Sequence, residues 1–138
     1  MALRVKYLAD KSALARFSVP AVGARLRPLM EDGLIASCAI VDMEVLFSAR
    51  SLGDYEAVLE ERRSMDSAPI TPGVMATAID LQHALARRGR HRLPIPDLVI
   101  SAAAKHAGLV VLHYDADFER IAQVGGSDHE WVVPKGSI

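Results

Sequence analysis

Residues 109 to 114, "LVVLHY", leave this chain few folds to choose from. They form a continuous apolar, β-branched run too short for a buried helix, and it is stopped before by Gly108 and after by Asp115. A run of that kind is a strand buried on both faces, which occurs where helices cover both sides of a parallel sheet. The remaining chain supplies the helices and the other strands. "LRVKYLA" (3–9) reads as a strand ended by Asp10, with "KSALARF" behind it in helical rhythm. An amphipathic helix follows from about Pro20 to Asp32, Gly33 stops it, and "LIASC" reads as a short buried strand.

Further on, "IVDMEVLFSAR" is helical up to a break at Gly53, and "DYEAVLEERRSM" is a charged helix with Asp54 as its N-cap. "APIT" (68–71) is a candidate strand. Thr71 then caps a helix that has Pro72 in its first turn and runs to Gly89, and a helix over about 96–107 opens on Pro96 with Asp97 in its first turn. "FERIA" is a last short helix and "EWVVP" a weak final strand. Strands alternating with helices imply an α/β fold: a mainly parallel sheet of four to five strands in a three-layer arrangement. With 138 residues, 51% of them hydrophobic, and no linker or repeat, one domain over 1–138 is expected.

In such sheets ligands bind beyond the carboxyl ends of the strands. Asp10 and Asp115 each follow a strand and project from that edge; Asp97 opens a helix that can begin there, and Glu44 lies near the start of the helix after "LIASC". Asp42 is two positions from Glu44, on a nearly opposite helix face, so only one of the two can point at the site; spacing does not choose between them. Asp117 is a second acid where one would cap the turn. Singly, each acid has a bland reading as a cap or first-turn residue. Gathered, they would repel and hold protons unless a cation neutralised them. A hard divalent ion with oxygen ligands, Mg²⁺ or Mn²⁺, meets that need and supports phosphoryl-transfer chemistry.

The blocks "YLADKSAL", "IVDMEVLFSAR", "RHRLPIPDLVISAAA" and "LVVLHYDADFERIA" occur in the order and context of the PIN-domain ribonucleases, and the chain most resembles the VapC toxins of bacterial toxin–antitoxin pairs. That resemblance implies a PIN-like fold and an acidic site of Asp10, Glu44, Asp97 and Asp115, with Asp117 as a frequent fifth member and Ser12 as the small hydroxyl residue after the first acid. It implies Mg²⁺ or Mn²⁺ as cofactor, and cleavage of structured RNA such as transfer RNA or a ribosomal RNA loop. It also implies inhibition by a cognate VapB-type antitoxin, and a homodimer.

The net charge of −1 gives no overall pull on nucleic acid, so RNA needs a local cationic patch. Arg87, Arg88, Arg90 and Arg92 are the candidates, against the plainer reading of a solvated helix end. The five histidines, at 83, 91, 106, 113 and 129, have no metal-ligand spacing, although His113 stands two residues before Asp115; Trp131 fits a strand. Cys38, the single cysteine, suits packing and a reduced cytoplasmic setting. No segment approaches the roughly 18 apolar residues of a membrane span. Two other readings compete. A phospho-accepting receiver domain needs adjacent acids after its first strand and a late strand-end Lys, where "YLAD" offers one acid and "LVVLHY" no Lys. An inactive PIN-like binding module would have lost an acid, and all are present.

Overall fold

The structure, a computed structural model, describes residues 5–138. Its elements run β1 (Tyr7–Ala9), α1 (Lys11–Leu14), α2 (Pro20–Glu31), β2 (Ile35–Ala36), α3 (Ala39–Leu46), α4 (Leu52–Arg63), α5 (Pro72–Ala86), α6 (Ile95–Ala107), β3 (Val110–His113), α7 (Asp117–Ala122) and β4 (His129–Trp131). The four strands make one sheet in the order β2-β1-β3-β4, and every pairing is parallel.

Alternation along the short strands divides the core. Leu8 and Val111 face a layer built from α3, α5, α6 and α7, whereas Tyr7, Ala9 and Leu112 face α2 through Val22 and Leu26, with Val132 and Val133 beside them. This is the three-layer arrangement expected from strands buried on both faces. Helix α6 lies deepest, with eight consecutive buried residues from Asp97 to Ala104. Its alanines let neighbouring elements approach closely, and Gly108 ends it in the left-handed conformation (φ 70°) that a side chain would disfavour. Cys38 is fully buried, and burial pushes its thiol pKa up, as suits a packing residue.

Several local expectations need correction. The first strand occupies only Tyr7–Ala9 of the expected 3–9, whose first two residues lie outside the described region. Helix α4 starts before Gly53, and Ser51, not Asp54, caps it by accepting the Asp54 amide at 3.0 Å. The break expected at Gly53 comes earlier: α3 ends at Leu46, and Gly53 lies inside the first turn of α4. "APIT" is not a strand: the chain pairs beside β2 only through the isolated bridge of Ser37 with Ser67. The Ala68 amide still donates to Ser37 O at 2.7 Å, but the segment it pairs with turns into α3 at Ala39 and offers no further strand edge. Helix α5 ends at Ala86, and residues 87–89 form the turn beyond it.

Helix α4 buries a single residue, Arg62. Its guanidinium donates through Nε to Asp42 Oδ1 at 2.9 Å and through Nη2 to Ser37 Oγ at 2.6 Å, tying α4 to α3 and the end of β2. The side chains are 3% exposed for Arg62 and 24% for Asp42, so the two halves of the pair differ in what their loss leaves behind. Asp42→Ala strands a buried cation and should cost about 3 kcal/mol in urea unfolding, whereas Arg62→Met leaves a half-solvated carboxylate and should cost less.

Candidate metal centre

β1 and β3 are neighbours at the centre of the sheet. From β1 the chain leaves toward β2 on one side and from β3 toward β4 on the other, so their carboxyl ends form a topological switch point. Two acids stand there because each ends a strand. The Asp10 amide donates to Leu112 O at 2.9 Å, which continues the β1–β3 register into the acid. Asp10 then caps α1 by accepting the Ser12 amide on Oδ2 at 2.9 Å. Ser12 Oγ in turn accepts the Tyr114 amide at 2.9 Å, so one hydroxyl holds the chain just before Asp115 against the turn after Asp10.

Past β3, Asp115 Oδ1 accepts the Asp117 amide at 2.9 Å, an Asx-type turn that folds both carboxylates to the same side before α7 begins. Asp97 arrives from the first turn of α6. Carboxylate oxygens of Asp97, Asp115 and Asp117 all lie within 4.8 Å of one another. Asp10 and Glu44 border this trio, near enough that both charges act on Asp97.

The electrostatics follow from that crowding. Burial, then the charges of Asp10, Asp115, Asp117 and Glu44, raise the Asp97 pKa to about 8. Burial is also the main cause of the upward shifts at Asp10 and Glu44; Asp115 adds to the first and Asp10 to the second, while Lys11 partly offsets the rise at Glu44. Asp10 is 4% exposed and Asp97 6%. Two oxygens of this group, Glu44 Oε1 and Asp97 Oδ2, are buried without a hydrogen-bond partner. An unpaired buried acceptor costs about 1–3 kcal/mol, so two at one acidic edge suit a cation with oxygen ligands.

Asp42, the rival to Glu44, turns away into the Arg62 and Ser37 network. His113 sits beneath the centre without joining it. It is fully buried, contacts the rings of Phe118, His129 and Trp131 at centroid distances of 5.1, 5.1 and 4.9 Å, and accepts the Asp115 amide on Nδ1 at 3.0 Å. An accepting Nδ1 assigns the proton to Nε2, which donates to His129 Nδ1 at 2.9 Å. Burial and His129 lower its pKa to about 4, in keeping with a neutral ring that holds Asp115 in place. Among the described residues no histidine joins a metal-capable group.

The basic run is exposed in the connection from α5 to α6. Arg88 and Arg90 line a cleft with Leu85, Arg120 and Gln123; Arg87 and Arg92 do not. Arg120 and Gln123 escaped sequence reasoning. The only local signal was the i,i+3 spacing of Asp117 and Arg120, which pair at 2.7 Å.

A small parallel α/β domain with acids gathered at its switch point is the frame in which this chain compares with known proteins. The PIN domain family model matches residues 7–124. The chain is 47% identical over 137 residues to Ribonuclease VapC21 of Mycobacterium tuberculosis, covering 98% of this chain and 99% of that one. It is 41% identical to Ribonuclease VapC51 of the same organism, covering 99% of both. Its fold matches the DNA-bound VapBC crystal structure from Salmonella typhimurium with a TM-score of 0.74 at 21% identity, over 94% of this chain and all of that one. The chain belongs to the PIN-domain family and, within it, to the VapC ribonucleases.

Proposed function

We propose that this protein is a metal-dependent endoribonuclease toxin that cleaves structured RNA in the cytoplasm. Asp97, Asp115 and Asp117 would hold Mg²⁺ or Mn²⁺, with Asp10 and Glu44 completing the ligand shell directly or through water. When bound, the cation would supply Lewis-acid polarisation of the phosphodiester and would make a water easier to deprotonate for attack on phosphorus. The chain's own contribution is placement. The Ser12 amide fixes Asp10, His113 and the Asx turn fix Asp115, and α6 carries Asp97 to the edge. A carboxylate in this group that is free of the cation can take the proton of the attacking water. The observation that carries this reading is the pair of unpartnered buried oxygens on Glu44 and Asp97.

Asp→Asn at 10, 97 and 115, and Glu→Gln at 44, preserve shape while removing charge. Each should lower cleavage of a transfer RNA pool by about 100-fold or more with circular dichroism unchanged. Asp117, whose charge Arg120 already offsets, should give a partial loss. Undiminished cleavage by Asp10→Asn or Asp115→Asn would refute the assignment.

The same reading supplies a VapB-type antitoxin. Ile40, Met43, Phe47 and Pro96 line an apolar groove that also includes Glu44 and Lys11 and so reaches the acidic edge. Phe47 is 90% exposed and Met43 58%. An antitoxin would lay an apolar helix there, beside α4, and extend a cation into the acids. Phe47→Asp should retain cleavage yet escape inhibition when the antitoxin is added. The chain would act as a homodimer, which light scattering reads directly.

A further inference from the structure

The cleft beside the basic run has a chemistry that the acidic centre does not absorb. It is about 270 Å³, lined by Leu85, Arg88, Arg90, Arg120 and Gln123, and it brings cations together from two distant parts of the chain. Their convergence has a local cause. Beyond the end of α5, Gly89 adopts φ 70°, and the Arg90 amide folds back to Leu85 O at 2.9 Å, so Arg88 and Arg90 come to flank Leu85. From the other wall, α7 presents Arg120 and Gln123 three residues apart and hence on one face.

Among the described residues no carboxylate lines the cleft. Among the same residues Arg88 and Arg90 have no ion-pair partner, whereas Arg120 is paired with Asp117; the planar forks of the two unpaired arginines match the several acceptor oxygens of a phosphate. Gln123 adds an uncharged donor. The cleft also has a fixed relation to the acids, because Arg120 Nη1 donates to Asp117 Oδ1 at 2.7 Å and Asp117 belongs to the carboxylate trio. An anion seated here therefore sits next to the place where a phosphodiester would meet the metal.

We propose that this cleft is a phosphate subsite in which Arg88, Arg90, Arg120 and Gln123 seat a backbone phosphate of single-stranded RNA adjacent to the one cleaved. The inference rests on the reading of the acidic edge as a ribonuclease centre. Arg120 has a double role in it, neutralising Asp117 on one side and contacting the phosphate on the other. Arg87 and Arg92, outside the lining, are solvated neighbours.

The test is binding of a fluorescently labelled single-stranded oligoribonucleotide, followed by anisotropy across a NaCl series at constant Mg²⁺, with every variant built on inactive Asp97→Asn. Arg88→Gln/Arg90→Gln should weaken binding by roughly tenfold, the effect of losing charge-assisted hydrogen bonds to one phosphate. It should also reduce the magnitude of the log K against log salt slope by about 0.7, the value for one phosphate on a single strand. A control with the same charge loss, Lys6→Gln/Arg27→Gln, changes exposed cations away from the cleft, one of them at the opposite end of β1, and should leave the slope unchanged. Equal slopes in the Arg88/Arg90 variant and its parent, or equal losses in both double variants, would overturn the subsite. Failure of the nuclease reading has a separate signature: the unmodified protein would cleave no RNA with Mg²⁺ or Mn²⁺, whatever the binding slopes.

Discussion

Asp97→Asn should abolish RNA cleavage and at the same time make the metal-free protein more stable above neutral pH. Both effects come from one carboxylate. In the folded chain Asp97 titrates at about 8, against 3.8 for an ordinary Asp, because it is buried among four other acids. Between those values the unfolded chain has released the proton while the folded chain retains it. The favourable contribution of the protonated form is thus complete below about pH 4 and is lost as pH rises through 8. A tenfold difference in proton affinity between the folded and unfolded chain is worth about 1.4 kcal/mol. After relaxation of the site, about 2–4 kcal/mol of destabilisation is expected at pH 8.5 in chelator. Asparagine cannot ionise, so urea unfolding at pH 5 and pH 8.5 should show the variant gaining on the parent at the higher pH. Parallel stability curves for the two proteins would show that Asp97 is not held protonated by its neighbours.

Metal addition should reverse that instability, and do so more strongly at high pH. A cation needs ionised ligands, and at pH 6 Asp97 still holds its proton in the folded chain. Mn²⁺ at a hundredfold excess over its dissociation constant adds about 2.7 kcal/mol to stability. The thermal shift on adding Mn²⁺ at one fixed concentration should therefore be larger at pH 8.5 than at pH 6, and largely absent in Asp97→Asn. An equal shift in parent and variant would place the ion elsewhere.

The strand-end acids were legible in sequence because local pattern fixes their position. Asp10 and Asp115 follow apolar runs, and a parallel sheet sends both to one edge. Asp97 was legible because Pro96 and Gly108 frame its helix. Spacing did not choose between Asp42 and Glu44, and only the family resemblance pointed to Glu44; the physical reason lies in Arg62, twenty residues further on in a largely exposed helix. Nothing local marks a lysine or arginine that will be buried. The "APIT" expectation failed for a related reason: β-propensity in four residues says nothing about whether a neighbouring strand edge is available, and the edge beside it ends where α3 begins at Ala39. His113 drew attention by its distance from Asp115, but its task, accepting the Asp115 amide, needed coordinates to see. Arg120 could be paired with Asp117 from helix spacing alone, whereas its cleft with Arg88 and Arg90 exists only after α5 and α7 pack on the same side of the sheet.

The proposed sharing of one metal ion by acids from separate elements is tested most directly by anomalous diffraction from crystals soaked in Mn²⁺, which would reveal the ion itself. The expected result is a peak with Asp97 and at least one of Asp115 and Asp117 among its ligands, at about 2.0–2.3 Å from their oxygens. The peak should be missing from Asp97→Asn crystals treated in the same way. A Mn²⁺ peak bound only at other carboxylates, or one that persists unchanged in the variant, would contradict a shared centre built on Asp97.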